Sequence, residues 1–271
     1  MPGSTGMRTG TARVNGGYSL AAGGYESVQV PSGPAAARPS TAMFRRRSGQ
    51  PSRRAVLHVQ ATGDPSVPAG LAAWYTERAF HFYLAGLRLP SQAPVGARPG
   101  ARYLKAAFAD LDVACAHLRE ADGMASVIVS AQGRAAIAAA LWSDARCRDD
   151  RESAADAMIL LAPQLAAGAT LTLDVECPVL VLSDPAEEAQ AGAGPAATRG
   201  TGVRAAWRQR RPGASGRSAL NLGGHVTWLR LPAGTASDAV DASGADSRQL
   251  FDELGRWLGA YMYGSVRDQL L

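Results

Sequence analysis

At 271 residues the chain is long enough to bury one large core, and an open α/β sheet of this size is commonly a single domain. Apolar residues make up 46% of it, yet no apolar run approaches the ~20 residues of a bilayer span, which excludes a membrane-spanning helix. The net charge of +5 comes from one end: residues 1–54 hold eight arginines against one glutamate, and residues 55–271 hold 20 basic against 22 acidic side chains. No aromatic platform is interleaved among Arg45, Arg46, Arg47, Arg53 and Arg54, and Lys105 is the only lysine, so nucleic acid is not expected as a partner. Cys115, Cys147 and Cys177 are odd in number and far apart, with no Cys-x-x-Cys, and read as structural thiols of a reducing compartment. The start, Met1 to Arg8, lacks the apolar segment of a secretory signal, so the expected location is the cytoplasm.

In chain order, residues 1–22 are Gly-, Ser-, Thr- and Ala-rich without periodicity and are expected to be disordered, leaving 23–271 as one domain. Glu26–Val30 alternates like a strand, Pro31–Gly33 turns it, and Ala42–Arg47 is its antiparallel return. Arg53–Gln60 is a stronger strand, ended by Gly63, Asp64 and Pro65. Leu71–Arg78 has helical spacing, Phe80–Ala85 is again a strand, and a Pro/Gly loop spans 90–100. Tyr103–Glu120 gives the clearest amphipathic helix, with Leu104, Ala107, Phe108, Leu111, Cys115 and Leu118 inward and Lys105, Asp110, Asp112 and Arg119 on the surface. Gly123 ends it. Ala125–Val129 is an apolar strand that passes through a tight turn into the small-residue helix Ala135–Ala140. Asp156–Pro163 and Cys177–Asp184 are further buried strands. Residues 185–222, dominated by Ala, Gly, Arg and Pro, read as a surface excursion, either a plain loop or a ligand cover. His225–Leu231 is the last strand, and Arg248–Tyr263 a closing helix with Leu250, Leu254, Trp257, Leu258 and Tyr261 inward. Continuous apolar strands alternating with helices call for a mostly parallel sheet covered on both faces.

The strand–turn–helix of residues 127–142 has the architecture of a nucleophile elbow. The order of elements across residues 24–264 resembles the α/β-hydrolase superfamily, in particular its serine aminopeptidase and lysophospholipase-like branch. The resemblance rests on the opening hairpin, the strands Ala55–Gln60 and Phe80–Ala85, and the long helix before the elbow. Leu161-Ala162-Pro163, the Cys177–Leu182 strand and the Phe251–Leu258 helix complete it. It implies a central parallel sheet flanked by helices, a nucleophile at the elbow, an acid after the strand ending near Ser183 and a histidine after the last strand. Aligning the helix Ala135–Ala140 on the family pattern puts Gln132 at the apex, where glutamine has no proton to lose, and Arg134 at a position normally small. The alternative register puts Ser130 there. The oxyanion-hole position, His-Gly in the family, falls on Gln60-Ala61. The acid candidates are Asp184, Glu187 and Glu188. Residues 232–271 contain no histidine, which leaves His225; His58 and His81 lie in core strands and His117 on the long helix. The span from Pro163 to Cys177 is too short for a lid insertion.

Two readings of the site follow. One is a catalytically impaired hydrolase scaffold that binds an acyl, carboxylate or amide ligand through Gln60, Ala61, Gln132 and Gly133, with backbone N–H groups near Gly133 facing an anionic group. The other is an active carboxylic-ester hydrolase using Ser130, Asp184 and His225. A third possibility is a structural or regulatory partner acting through its surface. No metal site, phosphate-binding loop or dinucleotide fingerprint is present, so no cofactor is expected; the oligomeric state is open.

Overall fold

Continuous runs of Val, Ile and Leu can be buried on both sides only when helices cover both faces of the sheet they form. The computed structural model describes residues 24–28, 30, 43–61, 69–89, 101–149, 154–165, 170–183, 202–210, 217–230 and 245–268. Residues 1–22 and the acid candidates Asp184, Glu187 and Glu188 lie outside the described residues. In chain order the elements are β1 (Glu26–Val28), β2 (Met43–Arg46), β3 (Arg54–Ala61), α1 (Ala69–Glu77), β4 (His81–Leu87) and α2 (Ala101–Ala116). There follow β5 (Ser126–Gln132), α3 (Arg134–Arg148), β6 (Ala157–Leu161), β7 (Thr170–Asp174), β8 (Val179–Ser183), β9 (Gly202–Arg210), β10 (Arg217–Arg230) and α4 (Ala245–Asp268). Among the described residues these ten strands make one sheet, ordered β1-β2-β4-β3-β5-β6-β8-β10-β7, with β9 also paired to β10.

The opening hairpin pairs antiparallel, Glu26 against Arg45, and β2 pairs antiparallel with β4. From there the pairs β4–β3, β3–β5, β5–β6, β6–β8 and β8–β10 are all parallel. Odd-numbered β3 and β5 residues (Leu57, Val59, Val127, Val129) pack with Ala107, Leu111 and Leu118 and with the α3 alanines. Even-numbered Val56 and Ile128 pack with Ile159 and Leu180, under Leu71, Trp74 and Tyr75 of α1 and Leu250, Leu254 and Leu258 of α4. Residues Ala135–Ala136 and Ala138–Ala140 are all at most 1% exposed, so α3 lies close upon the sheet, as small side chains allow. Tyr261 ties α4 down by donating its hydroxyl to the Asp156 carbonyl at 2.7 Å.

Three features differ from the sequence expectation. Asp110, expected on the surface, is 4% exposed, because its carboxylate accepts from the Arg88 guanidinium at 2.6 Å and from the Arg88 backbone N–H. The stretch 185–222, expected to be loop throughout, contains β9 and the first part of β10. The alternation of Leu220 and Leu222 carries that strand, and both side chains are buried. Third, β7 had no counterpart in the sequence expectation. It pairs parallel with β10 over Ala219–Gly223, and β8 takes over on β10 at Val226. A Cβ at Gly223 would meet the end of the Asp174 side chain, which would have to swing aside. Among the described residues the span between β6 and β8 holds β7 alone and no lid.

Candidate functional site

The turn from β5 into α3 is made by Gly133, at φ 60° and ψ −120°, as the residue capping the helix. Glycine reaches this region freely, whereas any side chain there is held under strain. The turn is tied to the end of β6: Gly133 N–H donates to the Leu161 carbonyl at 2.9 Å, and Gln164 N–H donates to the Gly133 carbonyl at 3.0 Å. Two residues away on either side stand Ala131 and Ala135, both fully buried, where anything larger would prevent the sharp turn.

This corrects the elbow register. Gln132, expected at the apex, is instead the last residue of β5 and pairs with Leu161; the apex lies one residue on, at Gly133. The small-x-apex-x-small pattern is then met by Ala131 and Ala135, and Arg134 occupies a position that tolerates any side chain. The signal was present in the sequence, since glycine is the residue at ease at such a φ. A Cβ at Gly133 would touch only the Gln164 side chain, at 3.7–3.9 Å, an ordinary contact. Gln164, which the sequence reading did not name, thus stands beside the turn.

The β3–β5 register, with Val59 opposite Ala131, sets Gln60 beside Gln132 on the face toward α1 and α4. Both are partly exposed, and Ala61, ending β3, is buried. The binding candidates Gln60, Ala61, Gln132 and Gly133 thus meet at the C-terminal ends of two adjacent strands.

Ser130, His225 and Asp184 fare differently. Ser130 lies inside β5, fully buried, level with His58 on β3. Its hydroxyl oxygen is 3.1 Å from His58 Nδ1, so the structure does hold a serine–histidine contact, within the sheet and away from the apex. Burial pushes the His58 imidazole down to about 4, which keeps it neutral. The register carries Ser130 to Ile159, Leu180 and Thr227 in turn, three strand spacings or roughly 14 Å across the sheet. His225, exposed and two residues before Thr227, is farther still, so the structure does not bring it to Ser130. Asp184 is outside the described residues. His81 is structural: Ser48 N–H donates to Nδ1 at 3.2 Å, which leaves Nε2–H to donate to the Ser52 carbonyl at 3.1 Å. His117 lies 3.7 Å from Asp122. Among the described residues no group of three His, Cys, Asp or Glu side chains could hold a metal ion, and no helix is long and apolar enough to cross a membrane.

No protein family matches the chain, and no curated protein does. Solved structures match over most of its length. Esterase 2 of Thermogutta terrifontis, phosphonylated by sarin, is 12% identical, with 88% of this chain and 95% of that one covered at a TM-score of 0.51. The same enzyme phosphorylated by paraoxon is 13% identical, covering 88% and 94% at 0.50. A carboxylesterase from Mesorhizobium loti is 12% identical, covering 82% and 98% at 0.50. The chain has the α/β-hydrolase fold. Within it, β5, Gly133 and α3 make a tight strand–turn–helix, and Gln60-Ala61 ends the strand beside it.

Proposed function

We propose that this α/β-hydrolase-fold protein descends from serine hydrolases and binds a small acyl, carboxylate or amide ligand at the elbow without hydrolysing it. The observation that supports this reading is the apex itself. Gly133 occupies the strained position between β5 and α3 and has no side chain to attack a carbonyl. Covalent catalysis needs a nucleophile, a proton acceptor and an orienting group in contact. Without that nucleophile, the C-terminal ends of β3 and β5 still offer the Gln60 and Gln132 amides and the N-terminus of α3. Part of the same proposal are the serine aminopeptidase and lysophospholipase-like ancestry and a cytoplasmic location, where the free thiols Cys115, Cys147 and Cys177 would stay reduced.

The test is a binding and labelling pair on the full chain. A panel of short acyl esters, carboxylates and amides is titrated against the native protein and the Gln132→Ala variant, and both are treated with paraoxon. The expected outcome is binding that weakens in Gln132→Ala, with no covalent adduct. Unchanged affinity for every ligand overturns the role given to Gln132.

A second reading, an active carboxylic-ester hydrolase using Ser130, Asp184 and His225, draws support from the structural neighbours, which are a carboxylesterase and an esterase modified by organophosphates. The same reagent separates the two: a stoichiometric adduct on Ser130 would establish the esterase and defeat the binding-only reading.

A further inference from the structure

On the face covered by α1 and α4, the central strands stack three rows of side chains. The first, Phe82, Val56, Ile128 and Ala157, is apolar and buried. The second runs Leu84, His58, Ser130 and Ile159, and the third Gly86, Gln60, Gln132 and Leu161. Four polar residues therefore stand as a block on two adjacent strands, in the middle of a face that is otherwise apolar. Central positions of a doubly covered parallel sheet are normally apolar, and a polar group placed there costs energy unless it is bonded.

The bonding is incomplete. Ser130 and His58 satisfy one another at 3.1 Å, but His58 Nε2, in a residue with no exposure, has no partner. Neither has Gln60 Oε1, nor the hydroxyl of the fully buried Tyr75. The His58 and Tyr75 rings both stack on Phe82, at 5.9 and 6.0 Å, and Gln60 follows His58 by two residues on the same face of β3. Orphan groups at this depth are rare and point to an occupant.

Among the described residues the buried carboxylates are Asp110 and Asp144, on α2 and α3 against the opposite face, and each is paired with an arginine. Among the described residues no cation is buried beside His58 to offset an anion, and an uncompensated charge at that depth is prohibitively costly.

We propose that His58, Ser130 and Gln60 form an inner pocket for a small uncharged molecule of the primary carboxamide class. With Ser130 donating its hydroxyl to Nδ1, the imidazole carries its proton on Nε2 and donates it to the amide carbonyl. Gln60 Oε1 accepts from the amide NH2, so each group of the guest meets its complement. This inference rests on the non-hydrolytic reading and narrows its ligand from acyl, carboxylate or amide to the amide.

The test uses full-length protein labelled with 15N-histidine at pH 7.5, titrated with propanamide and, in parallel, with propanoate. The His58 signals are assigned by their loss in His58→Gln. Propanamide is expected to move the His58 Nε2 resonance saturably and to raise the melting temperature, propanoate to do neither, and Gln60→Leu to weaken propanamide at least tenfold. The native titration needs no variant to fold. A flat propanamide titration, equal binding of propanoate, an unchanged affinity in Gln60→Leu, or a crystal soaked in propanamide showing ordered water alone at Nε2 would each overturn the inference. A paraoxon adduct on Ser130 would instead defeat the non-hydrolytic reading, so the two failures are distinguishable.

Discussion

Buried and neutral, His58 should make the protein acid-sensitive in a way that can be isolated. Its pKa falls from the ordinary 6.5 to about 4 because burial penalises the imidazolium. Between those values the unfolded chain binds a proton that the native chain does not, so unfolding is favoured as pH falls. The stabilisation is complete above 6.5, declines as pH drops from 6.5 toward 4, and levels off below. At 1.36 kcal/mol per pKa unit the full loss is about 3 kcal/mol, of which about 2 kcal/mol has gone by pH 5. His58→Gln keeps a neutral hydrogen-bonding side chain of similar size but cannot titrate. Urea unfolding of both proteins at pH 7.5 and pH 5 gives the difference directly, because every other histidine and carboxylate is common to the two. Native protein is expected to lose about 2 kcal/mol more than the variant over that interval. Equal losses, within about 0.5 kcal/mol, would refute the claim that a neutral imidazole is locked in the sheet.

Gly133→Ser places a side chain where φ is 60°, and should cost about 1–3 kcal/mol in urea unfolding despite the open space before Gln164. Ala139→Leu, at a fully buried position of α3 against the sheet, should cost about 1–3 kcal/mol by overpacking, seen as a fall in melting temperature. Cys115 is buried and its thiol is pushed up to about 12, mainly by desolvation. Iodoacetamide at pH 8 should therefore spare it in native protein and modify it in guanidinium, with peptide mass spectrometry as the readout; rapid native labelling would contradict its burial.

Much of the fold was legible because its core elements announce themselves locally. The strands β3, β5, β6 and β8 carry the apolar runs Ala55–Leu57, Val127–Val129, Ala157–Leu161 and Val179–Leu182, and the inward residues of α2 and α4 recur at helical spacing; Leu111, Cys115, Leu250, Leu254 and Leu258 are indeed buried. Strand β7 escaped notice because Thr170–Asp174 is a short segment whose only buried side chain is Leu173; its partner in β10 is 49 residues away. The same holds for the start of β10, whose Gly- and Arg-rich surroundings resemble loop. Pairing is a non-local property, and a five-residue strand carries too little period-two signal to reveal it.

The turn from β5 into α3 was legible to within one residue. The small-residue block Ala135–Ala140 suggested where the helix began, but a block of alanines leaves the register free by one position. The backbone settles it: φ of 60° at Gly133 marks the turn, and Gln132 consequently belongs to the strand, its side chain on the face of Gln60, His58 and Ser130. Moving the apex by one residue exchanges an amide at the summit for an empty position with an amide beneath it. The same alternation places Ser130 two residues below Gln132 on that face, buried in the sheet. The serine–histidine contact accordingly lies in the sheet interior, beneath the turn made by Gly133.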